Sequence, residues 1–209
     1  MSAALFYDKD ALLNDVGTAR EAFSRYIHRV VEKYHPAVVA NGTGACLYLA
    51  YHATYFLHMI VGVRAIMQAG TMSWPFADFT QPDDGGPTHL TYQWNGPEEG
   101  QIHAPIPSNC TPLPEVHVWT ALPEHKTIID LSTGSFPIAA QKLGFTWKGP
   151  MPPPFMWSDP KTQSRFPGTK YEARIGAIRS VVKLPEFNWS FQEKPAGCLR
   201  NPFIHLVTS

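Results

Sequence analysis

Three residues in this sequence are of types that could carry out nucleophilic chemistry together: Cys46, His117 and Asp130. A cysteine nucleophile works as the thiolate, and the unpaired N–H groups of a helix N-terminus favour negative charge there. Cys46 follows Asn-Gly-Thr-Gly-Ala at 41–45 and opens a long apolar run, so it is expected in the first turn of a helix capped by Thr43. The same N–H groups can hold a tetrahedral oxyanion, and Gly42 and Gly44 would let a substrate carbonyl approach closely. Asn41 could add a side-chain donor to that oxyanion, but it reads equally well as the turn residue before Gly42.

The thiolate needs a base, and the base needs an orienting group. His117 lies in Glu-Val-His-Val-Trp-Thr-Ala-Leu at 115–122, which alternates as a strand. His117, Trp119 and Ala121 then share one face, and Val116, Val118 and Leu122 the other. Asp130 closes the apolar run Thr-Ile-Ile-Asp that begins at 127. A turn over Pro-Glu-His-Lys at 123–126 predicts an antiparallel hairpin that pairs 120 with 127 and 117 with 130. Directly opposed Cβ atoms lie about 5 Å apart, a distance over which a carboxylate can accept from an imidazole and fix its tautomer. Trp119 either walls such a site or belongs to the core.

These residues need elements to position them. Residues 9–34 carry Leu12, Val16, Ala19, Phe23, Ile27, Val30 and Tyr34 at spacings of three and four, which predicts an amphipathic helix with Asp8 as N-cap and Pro36 as its end. Gly17 weakens that pattern. The segment from Cys46 to about Ile60 has no polar face, so it is expected to be a helix buried on all sides and stopped by Gly62. Strands are expected over 63–76, with a bulge at Gly70, and over 89–94, with Asn-Gly at 95–96 as a turn. Residues 96–114 read as irregular. A short helix is expected over 136–143, ending at Gly144. Beyond 148 the prolines up to Pro167 argue against regular structure, and 171–184 is apolar without a deciding period. Two helices followed by four or more strands point to an α+β fold in one domain spanning 1–209. Its core would occupy about 38–145, between the helix at 9–34 and a proline-rich extension at 148–209 that could stiffen into a flap over the cleft.

Composition bounds the function. Of 209 residues 44% are hydrophobic and 16% charged, against roughly 25% charged in an average globular chain, which favours a compact fold. The formal net charge is zero, so no basic surplus exists to collect the phosphates of a nucleic acid. The N-terminus lacks the pattern of a signal peptide. The apolar stretch 45–63 holds His52 and His58 and runs into Arg64, so it is expected in a protein core and not in a membrane. Three widely spaced cysteines, Cys46, Cys110 and Cys198, form no disulfide framework and fit a reducing, cytoplasmic setting. His52 and His58 are six apart and so do not make a zinc helix, and no spacing gathers His89, His103, His117 and His125 into a metal site. No cofactor motif is present, and no Gly-x-Ser-x-Gly is found.

A cysteine opening a buried helix, a strand with His-Val-Trp and a strand ending in Ile-Ile-Asp-Leu, in that order, resemble the transglutaminase-like branch of the papain-like cysteine enzymes. The likeness covers about residues 40–140. It implies a papain-like fold, with a central buried helix packed on an antiparallel sheet. It further implies Cys46 as nucleophile, His117 as base and Asp130 as the orienting acid, acting on a peptide, amide or other acyl substrate without a cofactor. Water as acceptor would make the protein a peptidase or amidase, and an amine would make it a transamidase. An inert binding or structural protein that keeps the fold is the other reading.

Overall fold

The structure, a computed structural model, describes residues 7–14, 17–41, 45–75, 89–92, 94, 116–142, 144–158, 166 and 168–181, with the backbone alone at 39–41. The first helix forms where the apolar spacing predicts one, but in two pieces, α1 (Lys9–Asn14) and α2 (Thr18–Tyr34), divided at Gly17. Asp8 caps α1: its Oδ1 accepts the N–H groups of Asp10 and Ala11 at 2.9 and 3.2 Å. The break resets the helical phase. Leu12, Ala19, Phe23, Ile27 and Val31 are buried, whereas Tyr34 is 62% exposed and Val30 half-buried, which corrects the expected stripe at its C-terminal end. Val16 lies outside the described residues. Pro36 ends α2 by opening another short helix, α3 (Pro36–Asn41), where its missing N–H costs nothing.

α4 (Ala45–Phe56) is the apolar central helix, with Cys46 in its first turn. Its last turn widens to π geometry over Leu57–Val61 and stops at Gly62, whose φ of 73° suits only glycine comfortably. Leu49, Ala53, Phe56 and Leu57 of this segment pack with Phe23 and Ile27 of α2, with Leu122 and Ile129 from the sheet, and with Trp157. Burying one such side chain stabilises by roughly 1.5–3 kcal/mol. Thr120 anchors the helix to the sheet: its hydroxyl lies 3.0 Å from the Thr54 hydroxyl and 3.1 Å from the Ala50 carbonyl. No helix of the described residues is long and apolar enough to cross a membrane.

The sheet is antiparallel and six-stranded: β1 (Ile66–Pro75), β2 (His89–Tyr92), β3 (His117–Leu122), β4 (Thr127–Asp130), β5 (Met156–Ser158) and β6 (Lys170–Ala173). The order is β2-β1-β3-β4-β5, with β6 also paired to β1. The fold is therefore α+β, helices on an open antiparallel sheet. One side of the sheet, with Met67, Ala69 and Val118, meets α4 and the last helix of the described residues, α6 (Ile175–Val181). The other side, with Met72, Trp74, Leu90 and Met156, meets α5 (Phe136–Lys142) through Phe136 and Ala140.

Three expectations are corrected here. β3 and β4 form the predicted hairpin, but Thr120 pairs with Ile129, Ala121 with Ile128 and Leu122 with Thr127, two residues from the predicted register. A 3₁₀ turn at Pro123–His125 followed by Lys126 at φ 50° closes a four-residue loop, which sets the pairing at 122 and 127. Gly70 is not a bulge: it pairs with both His117 and Ala173, and a Cβ there would meet the Glu172 carbonyl oxygen at 2.1 Å, so only glycine lets β6 pass. The extension beyond 148 is not a separate flap where it is described, because β5 and β6 are strands of the sheet and α6 covers it. The turn at 95–96, the irregular stretch 96–114, and Phe76 and Leu143 at the ends of the elements predicted over 63–76 and 136–143 lie outside the described residues.

Candidate active site

His117 is the first residue of β3 and is 1% exposed. Strand alternation and the register put His117, Trp119 and Asp130 on one side of the sheet. With the hairpin shifted by two residues, Asp130 falls diagonal to His117 instead of opposite it. Diagonal neighbours remain within reach of long side chains, and His117 Nε2 donates to Asp130 Oδ2 at 2.6 Å. The two residues the sequence singled out on these strands are therefore in direct contact, by a different geometry from the one expected.

The carboxylate is held by four donors. Ser132 gives its backbone N–H and its hydroxyl to Oδ1, at 2.9 and 2.7 Å. Oδ2 receives His117 Nε2 and the Tyr171 hydroxyl, the latter at 2.7 Å. Asp130 is 1% exposed. Burial alone would favour its neutral form, but the His117 charge and the donors of His117, Ser132 and Tyr171 hold its pKa below the ordinary carboxylate value. For His117, burial opposes the charged ring. The Asp130 charge and hydrogen bond, with a smaller contribution from Cys46, outweigh burial and push the imidazole up to about 10. The pair is thus an imidazolium and a carboxylate at neutral pH.

Nε2 is committed to Asp130, which leaves Nδ1 for the thiol. The half-buried, free Cys46 interacts with the ring as a hydrogen-bonding neighbour that favours the imidazolium. Nδ1 nevertheless has no hydrogen bond of regular geometry. The two observations describe a thiol close to the ring but not aligned with it. Leu47 and Ala50 of α4 pack on Val118, on the opposite side of the sheet from Asp130. The thiol therefore neighbours the imidazole at the first residue of β3, beside the opening turn of α4.

Aromatic rings enclose the imidazole. Trp119 stacks at 6.2 Å with an interplanar angle of 21°, and Tyr92, Phe136 and Tyr171 lie 5.2, 5.5 and 6.1 Å away between ring centres. Trp119 is buried and its indole N–H is spent on Gln68 Oε1 at 2.9 Å, so it backs the ring from within the core. Burial, then the nearby Cys46 and Asp130, push the Tyr92 hydroxyl pKa above its ordinary value.

Asn41 ends α3 and its side chain is not described, and Gly42, Thr43 and Gly44 lie outside the described residues. Cys110 and Cys198 do so as well. Three residues of the site were missed by sequence reasoning. Tyr92 and Tyr171 come from strands far from the hairpin in the chain, and no spacing announces them. Trp94 packs in the same cluster as Cys46 and has a buried indole N–H without an acceptor. Among the described residues no group of three or more His, Cys, Asp or Glu side chains could hold a metal ion.

No family model, no curated protein and no solved structure matches this chain.

Proposed function

We propose that this protein is a cysteine-dependent acyl-transfer enzyme of papain-like, transglutaminase-like type, with Cys46 as nucleophile. The observation that carries the reading is a buried imidazole held by Asp130 through one nitrogen and neighbouring the Cys46 thiol with the other free. A base fixed by a carboxylate on one side and open to a thiol on the other is what nucleophilic catalysis needs.

In the proposed cycle the Cys46 thiolate attacks the carbonyl carbon of an amide or ester, and the carbonyl π electrons move to oxygen. The Cys46 backbone N–H at the opening of α4 is a donor available to that oxyanion. Collapse of the tetrahedral intermediate expels the amine or alcohol, which takes its proton from the His117 imidazolium. A thioester on Cys46 and a neutral His117 remain. Water or an amine then gives a proton to His117 as it attacks the thioester, and the acyl group departs with the acceptor. Asp130 stays ionised throughout and holds the ring. Water would yield a peptidase or amidase, and an amine a transamidase.

One observation favours the alternative of an inert binding protein: His117 is 1% exposed, so a substrate would have to reach the thiol with the ring enclosed by aromatics. Site-resolved alkylation with iodoacetamide at mildly acidic pH separates the two. The enzyme reading expects Cys46 to be modified ahead of Cys110 and Cys198, and the preference to vanish in His117→Ala. Equal, slow modification of all three cysteines, unaltered by that substitution, refutes it.

A further inference from the structure

Tyr171 stands outside the Cys-His-Asp constellation and outside the segment that resembles a known family. It comes from β6, which runs so close to β1 that Gly70 has no room for a Cβ. The residue as a whole is half-buried, but its hydroxyl reaches the buried Asp130 and its ring packs edge-on against Trp119 at 5.1 Å between centres. The oxygen it donates to, Oδ2, is the one that accepts from His117 Nε2.

A donor that aims at a carboxylate oxygen withdraws electron density from it and competes for its lone pairs. Oδ2 is then a weaker acceptor for the imidazolium than it would be with His117 alone. Ser132 does not act in this way, because its two donors serve Oδ1. We propose that Tyr171 is a positioning residue that sets the proton affinity of His117 through the shared Asp130 oxygen, so that the ring can release its proton to a leaving group and take it back within one cycle. This rests on the reading of Cys46, His117 and Asp130 as an acyl-transfer site and adds a device for tuning its acid. The titratable groups that face the pair are Cys46 from α4, Tyr92 from β2 and Tyr171 from β6.

The sign follows from the chemistry. Removing the Tyr171 hydroxyl concentrates the carboxylate charge on the bond to His117, which favours the imidazolium and raises its deprotonation midpoint. Strengthening the donor lowers that midpoint. The test is a ¹⁵N titration of the His117 ring in the full chain, with the resonance assigned by its loss in His117→Ala. Tyr171→Phe keeps the ring against Trp119 and removes only the donor. Its midpoint is expected to rise by about 0.5–1 pH unit, a fraction of a charge-assisted hydrogen bond. Site-specific 3-fluorotyrosine at 171, a more acidic phenol of nearly the same shape, is expected to shift it the other way by a smaller amount. This second form is read nearer neutrality and keeps the test open if Tyr171→Phe folds poorly. A purely structural Tyr171 would change the melting temperature and leave both midpoints at the wild-type value, which overturns the proposal, as does a lowered midpoint in a folded Tyr171→Phe. A wild-type midpoint below 6.5 that Asp130→Asn does not move would instead remove the acyl-transfer reading, and the proposal with it. An elevated wild-type midpoint without a Tyr171 effect removes the proposal alone.

Discussion

Asp130→Asn exchanges one carboxylate oxygen for an NH2 group and should invert the proton logic of the site. Ser132 presents two donors to the Oδ1 position, so the asparagine oxygen is expected to settle there. Its amide nitrogen then takes the place of Oδ2, with one hydrogen toward His117 Nε2 and the other toward the Tyr171 oxygen. Nε2 must change from donor to acceptor, which moves the ring proton to Nδ1, the nitrogen left for Cys46. A base that needs its lone pair toward the thiol would present a hydrogen instead. With the carboxylate charge gone, burial is the main influence left on the ring, and burial lowers its pKa. The midpoint should fall from about 10 to below 6.5. At about 1.4 kcal/mol per pH unit, that loss corresponds to on the order of 5 kcal/mol of interaction, in line with removing one partner of a buried ion pair. Urea unfolding at pH 7.5 should register a loss at the lower end of roughly 3–5 kcal/mol, since the Ser132 bonds survive. Alkylation of Cys46 at pH 6 should slow by about tenfold or more once the imidazolium beside the thiol is lost. An Asp130→Asn variant that alkylates at the wild-type rate, with the wild-type stability, would refute the coupling of Asp130 to Cys46 through His117.

Other expectations follow from the same contacts. Gly70→Ala places a Cβ 2.1 Å from the Glu172 carbonyl oxygen; β6 must shift, at a cost of roughly 1–3 kcal/mol by urea unfolding, and the His117 midpoint should move in the direction of Tyr171→Phe. Thr120→Val removes the bonds to Thr54 and Ala50 and should lower stability by about 1–3 kcal/mol through the orphaned buried groups, without changing the His117 midpoint. The pH dependence of stability includes contributions from His117, Asp130 and His52. His117 is raised, so its contribution is complete below 6.5 and is lost as pH rises through about 10; Asp130 is lowered, so its contribution is present above about 4 and fails in acid. His52, lowered to about 4 by burial and by His35, whose Nε2 lies 3.0 Å from its own, resists protonation in the fold; stability should fall as pH drops from 6.5 toward 4, and His52→Gln should flatten that slope in urea titrations.

Much of the site could be read from residue types because its parts carry strong local signals. A glycine-rich loop before an apolar run marks the start of a buried helix, so Cys46 could be placed in its first turn. The alternation about His117 and the turn residues at 123–126 announce a hairpin. The expected pairing of 120 with 127 does not fit a four-residue loop over 123–126, which by itself opposes 122 and 127 as observed. Even so, a shift of two preserves the facing of every side chain, which is why His117 and Asp130 still meet. β5 escaped notice because three residues are too few to show alternation, and they sit among prolines. The window 171–184 gave no period because a four-residue strand and a seven-residue helix adjoin there, at Lys170–Ala173 and Ile175–Val181. Tyr171 fell within that window. Its partner Asp130 is 41 residues away, a contact made by tertiary structure alone.

The central claim is that Cys46 can carry an acyl group and pass it on with the help of His117. Incubation with p-nitrophenyl acetate, an acid quench and peptide mapping by mass spectrometry tests it without knowledge of the natural substrate. The account predicts an acetyl thioester on Cys46 that forms faster than on any other cysteine and decays over time, with both formation and decay slowed in His117→Ala. Acetyl spread evenly over Cys46, Cys110 and Cys198, at rates indifferent to His117, would contradict it.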